Sequence, residues 1–242
     1  MREFIVNKLG KNLIWGLEQF LTHYSLVDTT PFLEPDQFSW VSLLESNWEV
    51  IRKELDVILN YSEQLPNFQD ISTDQASLTT DNLWKTFFLY GYGIKMGRNC
   101  NYCPQTTAIV EQIPGLKTAF FSILLPGKHI PAHRGPYKGV LRAHLALKVP
   151  EAKEQCGIRV DQEVRHWEEG KCLVFDDSYE HEAWNKSNDL RVVLFLDIVR
   201  PTRFPASALN NILINLIRWS PFIQDAKRNQ QIWDQRLAEV FK

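Results

Sequence analysis

Two histidines and one arginine carry the chemistry open to this sequence. His133 begins His133-Arg134-Gly135-Pro136-Tyr137, and His181 sits in Asp176-Asp177-Ser178-Tyr179-Glu180-His181-Glu182. Arg191 heads the apolar run Val192-Val193-Leu194-Phe195-Leu196. Imidazole ligates iron, zinc, copper and nickel, and non-heme iron oxygenases favour two histidines with open coordination positions. An arginine on a neighbouring apolar strand suits bidentate capture of a carboxylate. These residues predict an iron site with an acidic co-substrate beside it. A facial triad adds a carboxylate about two residues after the first histidine. Here that position is Gly135. Three readings stay open: two histidines plus water hold the metal, Asp176 or Asp177 folds back to it, or the site is not an iron site.

Strands must position these groups. In Leu141-Arg142-Ala143-His144-Leu145-Ala146-Leu147 the residues alternate, so Arg142, His144 and Ala146 share one face. The other face is apolar and belongs against a second layer. The face with Arg142 and His144 calls for a polar cavity, because buried cations are costly unless paired. Ser122 shares a face with Leu124 and opposes Phe121 and Ile123. His181 and Arg191 should both face the cavity. If their strands form a hairpin, Asn185 opposite Arg191 keeps the parity right, with Val193 and Phe195 inward and Val192, Leu194 and Leu196 outward.

The rest of the chain frames that core. Residues 1 to about 65 read as helical, with Trp40, Leu43, Leu44, Trp48, Ile51, Leu55 and Ile58 at helical spacing. Phe4, Ile5, Val6, Leu9 and Leu13 to Leu17 make the N-terminal helix amphipathic. It reads first as a helix packed on the domain, and second as a membrane-surface or partner-binding helix. Residues 67–80 are polar and read as an exposed loop. From Trp84 onward short apolar runs alternate with turns: Phe87 to Tyr90, Ala119 to Leu125, Val140 to Val149, Gly157 to Val160, Cys172 to Phe175, His181 to Asn185 and Leu190 to Val199. A short helix is expected from Thr106 to Gln112. From Ala206 the chain returns to helix. The expected fold is mainly β with flanking helices: a double-stranded β-helix (cupin-like jelly roll) over 81–205, an N-terminal helical segment over 1–80 and a C-terminal one over 206–242.

Composition excludes several classes. A formal net charge of −2 over 242 residues gives no argument for nucleic acid. Four cysteines make no disulfide scaffold. Cys100-Asn101-Tyr102-Cys103 is a lone CxxC without a second pair, and reads as structural thiols. No apolar run reaches the roughly 18 residues of a membrane span. Asp176 and Asp177, as strand neighbours, would point apart, so a turn or supporting role outweighs paired acid–base work.

At this point the residues become familiar. Residues 122–200 resemble the aspartyl/asparaginyl β-hydroxylase family of iron(II)/2-oxoglutarate-dependent oxygenases. The likeness lies in Pro126-Gly127-Lys128-His129-Ile130-Pro131-Ala132-His133-Arg134-Gly135-Pro136, Leu141-Arg142-Ala143-His144-Leu145, Trp167-Glu168-Glu169-Gly170-Lys171, Phe175 to Glu182, and Arg191. That family often has glycine where the carboxylate ligand would stand, so Gly135 fits it. The resemblance implies that His133 and His181 bind Fe(II). It implies that Arg191 grips 2-oxoglutarate with help from Ser122 and His144, that Arg142 lies near substrate and co-substrate, and that Trp84 lines the pocket. It further implies O2 and 2-oxoglutarate as co-substrates, succinate and CO2 as products, and ascorbate as a usable reductant.

The expected reaction is hydroxylation of an unactivated C–H, first the β-carbon of an Asp or Asn residue in a peptide, or of a related small acidic molecule. Related enzymes hydroxylate lipid A acyl chains, and Ile113-Pro114-Gly115-Leu116 and Gly135-Pro136-Tyr137-Lys138-Gly139 look like that branch. Asp176 to Glu182 looks more like the peptidyl hydroxylases. The expectation is a soluble, bacterial-type, cytoplasmic member lacking the anchors and extra modules of either branch. A lipid acyl-chain hydroxylase and a non-catalytic jelly-roll ligand-binding module are the alternatives.

Overall fold

The structure is a computed structural model that describes residues 2–240. The side chains of residues 2–12, among them Phe4, Ile5, Val6 and Leu9, lie outside what is described. Eleven strands and eight helices, with four short 3-10 turns, make up the described chain. The strands are β1 (Phe32–Leu33), β2 (Trp84–Gly91), β3 (Ile94–Lys95), β4 (Leu116–Leu124), β5 (His129–His133), β6 (Val140–Lys148), β7 (Cys156–Val160), β8 (Glu163–Arg165), β9 (Cys172–Phe175), β10 (His181–Asn185) and β11 (Arg191–Val199). The helices are α1 (Arg2–His23), α2 (Ser39–Ser46), α3 (Trp48–Leu59), α4 (Phe68–Ile71), α5 (Gly97–Tyr102), α6 (Pro104–Val110), α7 (Ala206–Arg218) and α8 (Pro221–Val240). No helix among the described residues is long and apolar enough to cross a membrane.

The strands form two antiparallel sheets. The major sheet has the order β1-β9-β6-β11-β4-β2-β3, and the minor sheet β5-β10-β7-β8. Apart from the β7–β8 hairpin, successive strands from β4 to β11 pass between the sheets, which is the double-stranded β-helix expected from the strand pattern. Alternation divides the major sheet's residues between two cores. Phe87, Phe121, Ile123, Leu141, Ala143, Leu145, Val192, Leu194 and Leu196 face outward and meet Leu44, Ile51, Leu55 and Ile58 of α2 and α3. Trp84, Phe120, Leu124, Ala146, Val193 and Phe195 face inward, toward Ile130, Ile158 and Ala183 of the minor sheet. A fully buried aliphatic or aromatic side chain contributes about 1.5–3 kcal/mol, so both cores are large enough to hold the sheets in register.

Three expectations need correction. His181 and Arg191 do not lie on a hairpin. β10 pairs with β5 and β7, whereas β11 pairs with β4 and β6. Asn185 lies opposite Cys156, and Arg191 opposite Leu124. Both side chains still point between the sheets, because each strand presents its inner face from its own layer. Second, residues 67–80 are not a plain exposed loop. They hold α4 and a 3-10 segment over Thr73–Leu78, and they bury Phe68, Ile71 and Thr79. Lys128 Nζ, itself buried, ties this segment down through Thr79 Oγ1 at 2.7 Å and Asp81 Oδ1 at 3.0 Å. Third, β5 is a strand that the apolar-run pattern missed. It carries Pro131 and lies at the edge of its sheet, where a missing N–H breaks no ladder. The turn leading to β5 needs Gly127 at φ +80°, a left-handed conformation that favours glycine.

The two ends behave differently. The second half of α1 packs Leu17, Phe20 and Leu21 with Leu213, Ile214 and Ile217 of α7 and with Tyr137. Upstream, Leu13, Ile14 and Trp15 are exposed.

Candidate active site

β5 and β10 place His133 and His181 directly opposite one another, with ring centroids 4.2 Å apart. The Nδ1 of His133 meets the Pro131 carbonyl at 2.8 Å, and that of His181 meets the Tyr179 carbonyl at 2.9 Å. Each Nδ1 therefore carries the proton, and each Nε2 keeps a free lone pair. Burial, with the Arg142 charge behind it, lowers both imidazoles below their usual range, His181 to about 3. Neutral imidazole with an unprotonated Nε2 is the form that binds a metal. Among the described residues no group of three or more His, Cys, Asp or Glu side chains gathers as a metal site.

Arg142, on β6, stands beside this pair. Its guanidinium lies 2.9 Å from Asp177 and 2.9 Å from Asp197, and 4.4 Å over the Phe195 ring. It also reaches His181 Nε2 at 3.4 Å. Burial works against the Arg142 charge, and the two carboxylates more than offset it and hold the guanidinium charged. Burial pushes the Asp177 carboxyl up, and Arg142 opposes that rise. A Cβ on Gly135 would fall 2.3 Å from Asp177 Oδ2. The carboxylate of Asp177 thus fills the space a side chain at 135 would need. Asp176 turns the other way, to Arg200 at 2.5 Å and Lys138 at 2.9 Å, and caps Ser178. The neighbours point apart, as the sequence suggested, but in the turn that follows β9 rather than in a strand.

Behind the histidines lies a second set, drawn from the major sheet. Arg191 is buried, stacks 4.4 Å over Trp167, donates to the Ser122 carbonyl at 3.5 Å, and lies beside the Cys156 thiol. Among the described residues no carboxylate pairs with it, and its Nε has no partner. Burial draws its pKa down to about 10. His144 is buried with both ring nitrogens unpartnered, 6.0 Å from Trp167 and 5.0 Å from Phe175. Burial first, then Arg191 and Arg142, hold its pKa well below 6.5. The Trp167 indole N–H is likewise buried and unpartnered. Ser122 Oγ accepts from Trp84 Nε1 at 3.0 Å, and Trp84 stacks on Phe68 at 3.9 Å. Orphaned buried polar atoms are rare in folded proteins and ask for an occupant. Here one cation and two ring systems with orphaned nitrogens converge, a setting that suits a small carboxylate.

A cavity of about 140 Å³, open to solvent, reaches His133 and Arg142 from the surface. Its walls are largely apolar: Phe68 and Ile71, Trp84 and Phe88, Met96, Phe120, Phe195, and Phe222 with Ile223 of α8. Sequence reasoning named His133, His181, Arg191, Ser122, His144, Arg142 and Trp84, and the structure gathers all seven between the sheets or at the cavity. It missed Asp177 and Asp197 as the partners of Arg142, and gave Trp167 no role of its own. The indole N–H of Trp167, an aromatic just ahead of the turn at Gly170, was the available signal. The pairing of Arg142 with residues 35 and 55 positions away had none. Cys100 and Cys103 are buried free thiols whose pKa burial raises, consistent with structural residues.

The two antiparallel sheets define a double-stranded β-helix protein. The profile described as aspartyl/asparaginyl beta-hydroxylase matches residues 45–201, and the chain belongs to that family. An ornithine lipid ester-linked acyl 2-hydroxylase of Rhizobium tropici is 49% identical over 244 residues, covering 100% of this chain and 87% of its own. The aspartyl/asparaginyl beta-hydroxylase of Mus musculus is 34% identical over 183 residues, covering 72% of this chain and 24% of its own. Aspartate beta-hydroxylase domain-containing protein 2 of Homo sapiens is 34% identical over 188 residues, covering 72% and 48%. The match thus spans between a quarter and a half of those mammalian relatives.

Proposed function

We propose that this hydroxylase uses iron(II) and 2-oxoglutarate and acts on the acyl chain of a polar lipid. The observation that carries the substrate reading is the apolar wall from Phe68 to Ile223 leading to His133. A hydrocarbon chain loses water there without leaving polar groups unpaired. The identity with the rhizobial acyl hydroxylase, which extends along the whole chain, supports it.

The residues present fit both groups. His133 and His181 would hold the metal through Nε2, since each Nδ1 is engaged by a backbone carbonyl. Arg142 then gives up its contact with His181 Nε2 and stays on its two aspartates. Arg191 would pair with the distal carboxylate of 2-oxoglutarate, with the Trp167 and His144 nitrogens as further partners. Ser122 and Trp84, bonded to each other, form the adjoining wall. Iron(II) with 2-oxoglutarate and O2, when bound, supplies the oxidising power that places hydroxyl on an unactivated C–H and releases succinate and CO2. The chain itself binds, orients and keeps water out. Four buried free cysteines suit a cytoplasmic setting.

Hydroxylation at the β-carbon of an Asp or Asn residue is the second reading. Arg134 and Lys227 at the cavity and the mammalian relatives favour it. The test is anaerobic loading with iron(II) and 2-oxoglutarate, then O2 with detergent-dispersed lipids or with Asp- and Asn-containing peptides. Succinate release coupled to a lipid product heavier by one oxygen supports the first reading. Coupling to the peptide alone replaces it with the second. Absence of iron-dependent succinate with every substrate leaves the non-catalytic module.

A further inference from the structure

Helix α7 is apolar on both sides, and only one side is covered. Ala206, Leu213, Ile214 and Ile217 face α1 and Tyr137, and Asn210 fixes the Tyr137 hydroxyl at 3.1 Å and the Gly139 carbonyl at 2.7 Å. The opposite side presents Leu209, Ile212, Leu216 and Trp219, spaced three, four and three residues apart, so they form one stripe. Their exposures are 37%, 57%, 63% and 75%, and Phe204 just ahead of the helix is 79% exposed. Scattered exposed apolar residues mean little, whereas a continuous stripe marks a contact surface.

We infer that this stripe seats the enzyme on an anionic bilayer surface, with α7 lying in the interfacial plane. This inference rests on the acyl-chain reading above and adds how the substrate is reached. Charge points to the occupant. Residues 203–228 hold Arg203, Arg218, Lys227 and Arg228 against the single acid Asp225, a net of +3 in a chain whose total is −2. Arg228 meets Asp225 at 3.7 Å, which leaves Arg203, Arg218 and Lys227 as the surplus, and a net positive segment bearing an apolar helix face matches anionic headgroups above hydrocarbon. Trp219, at the end of the stripe, is the side chain most at home at that boundary. Position points the same way. Ser220 and Pro221 join Trp219 to Phe222 and Ile223, which line the cavity that leads to His133. A chain drawn up beside Trp219 meets an apolar path inward. A two-fold pairing of this face with a second copy would set these cations against one another.

The experiment compares the full-length protein with its Ile212→Glu and Leu216→Glu variants. Sedimentation is measured with vesicles of phosphatidylcholine and phosphatidylglycerol in equal parts, and with phosphatidylcholine alone. The wild type is expected to sediment with the mixed vesicles, more weakly with neutral ones, and each variant to bind the mixed vesicles roughly tenfold or more weakly. Both positions are exposed, so circular dichroism and melting should match the wild type. On lipid dispersed in detergent the variants should keep wild-type turnover, and on vesicles lose it. Failure of the wild type to bind, or equal binding by both variants, overturns the inference. So does a wild-type dimer that Leu216→Glu converts to monomer. Vesicle binding by a protein that hydroxylates no lipid in detergent would remove the substrate reading and leave the surface standing.

Discussion

His133 and His181 face each other across β5 and β10, and each is held by the backbone carbonyl two residues before it, Pro131 and Tyr179 respectively. The same local device on two antiparallel strands sets both tautomers and leaves both Nε2 atoms without a backbone partner, on rings whose centroids are 4.2 Å apart. Replacing either histidine with Ala should therefore abolish iron(II) binding rather than halve it. Losing even an outer partner of a metal ligand typically costs 10–100-fold, so the loss here should exceed about 100-fold. Anaerobic calorimetry with iron(II) measures it, and a variant that binds as tightly as the wild type would remove the pair from the metal site.

Arg191 is buried without a carboxylate. Arg191→Met should weaken 2-oxoglutarate binding roughly 100-fold or more, because a charge-assisted bidentate contact is lost, while iron(II) binding changes little. In the ligand-free protein the same variant should be more stable, by about 1–3 kcal/mol, since an unpaired buried cation is removed. Thermal melts with and without 2-oxoglutarate read both effects. A variant less stable than the wild type, or equal loss of both ligands, would show that Arg191 serves structure rather than the co-substrate.

Gly135 and Asp177 share one volume. Gly135→Ala should cost about 1–3 kcal/mol, as overpacking of a tight site does. Gly135→Asp should fail to create a third metal ligand, because its Cβ already meets a carboxylate held by Arg142. A double variant with Asp177→Ala should lose less stability than the two single changes added together. Strict additivity in urea titrations would refute the shared space.

The buried imidazoles make stability depend on acid. His133, His144 and His181 all have folded-state pKa values below the usual 6.5. Above pH 6.5 folded and unfolded chains are alike neutral at these rings, and their contribution to stability is constant. Below 6.5 the unfolded chain takes up protons that the folded one refuses, so stability falls as pH falls. For His181, at about 3, the fall from pH 6.5 to 5 is about 2 kcal/mol. Urea unfolding at both pH values should show it, and His144→Asn should reduce the difference. Asp177, whose carboxyl burial pushes up to about 7, gains stability as pH falls over the same range and offsets this loss, so the check is the comparison of the two proteins: the same pH dependence in wild type and His144→Asn would mean that this ring is not held neutral.

Strands with one face in each core were legible, because alternation alone divides Leu141, Ala143 and Leu145 from Arg142, His144 and Ala146. The same rule placed Val193 and Phe195 inward. β5 was not legible, since Pro131 and mostly exposed side chains mask an edge strand. The segment 67–80 hid its contribution because only Phe68 and Ile71 of its short helix reach the cavity wall. The hairpin between β10 and β11 failed for a topological reason. β10 and β11, though neighbours in sequence, belong to opposite sheets, so parity survives while pairing does not. The charge cluster of Arg142 with Asp177 and Asp197 joins three strand ends or turns, and no local pattern announces it.

The division of the site between the two sheets has a further consequence. The metal-type ligands hang from the minor sheet on β5 and β10, while Ser122, Arg142, His144 and Arg191 hang from the major sheet on β4, β6 and β11. Anything that touches both sets acts as a clasp. Its occupancy adds to the resistance of the sandwich against opening, by about 2.7 kcal/mol at a hundred times its dissociation constant. The loaded enzyme should outlast the empty one under protease, and its lifetime in the cell should track the supply of iron and 2-oxoglutarate. Abundance of the protein would then report nutrient state without any dedicated sensor.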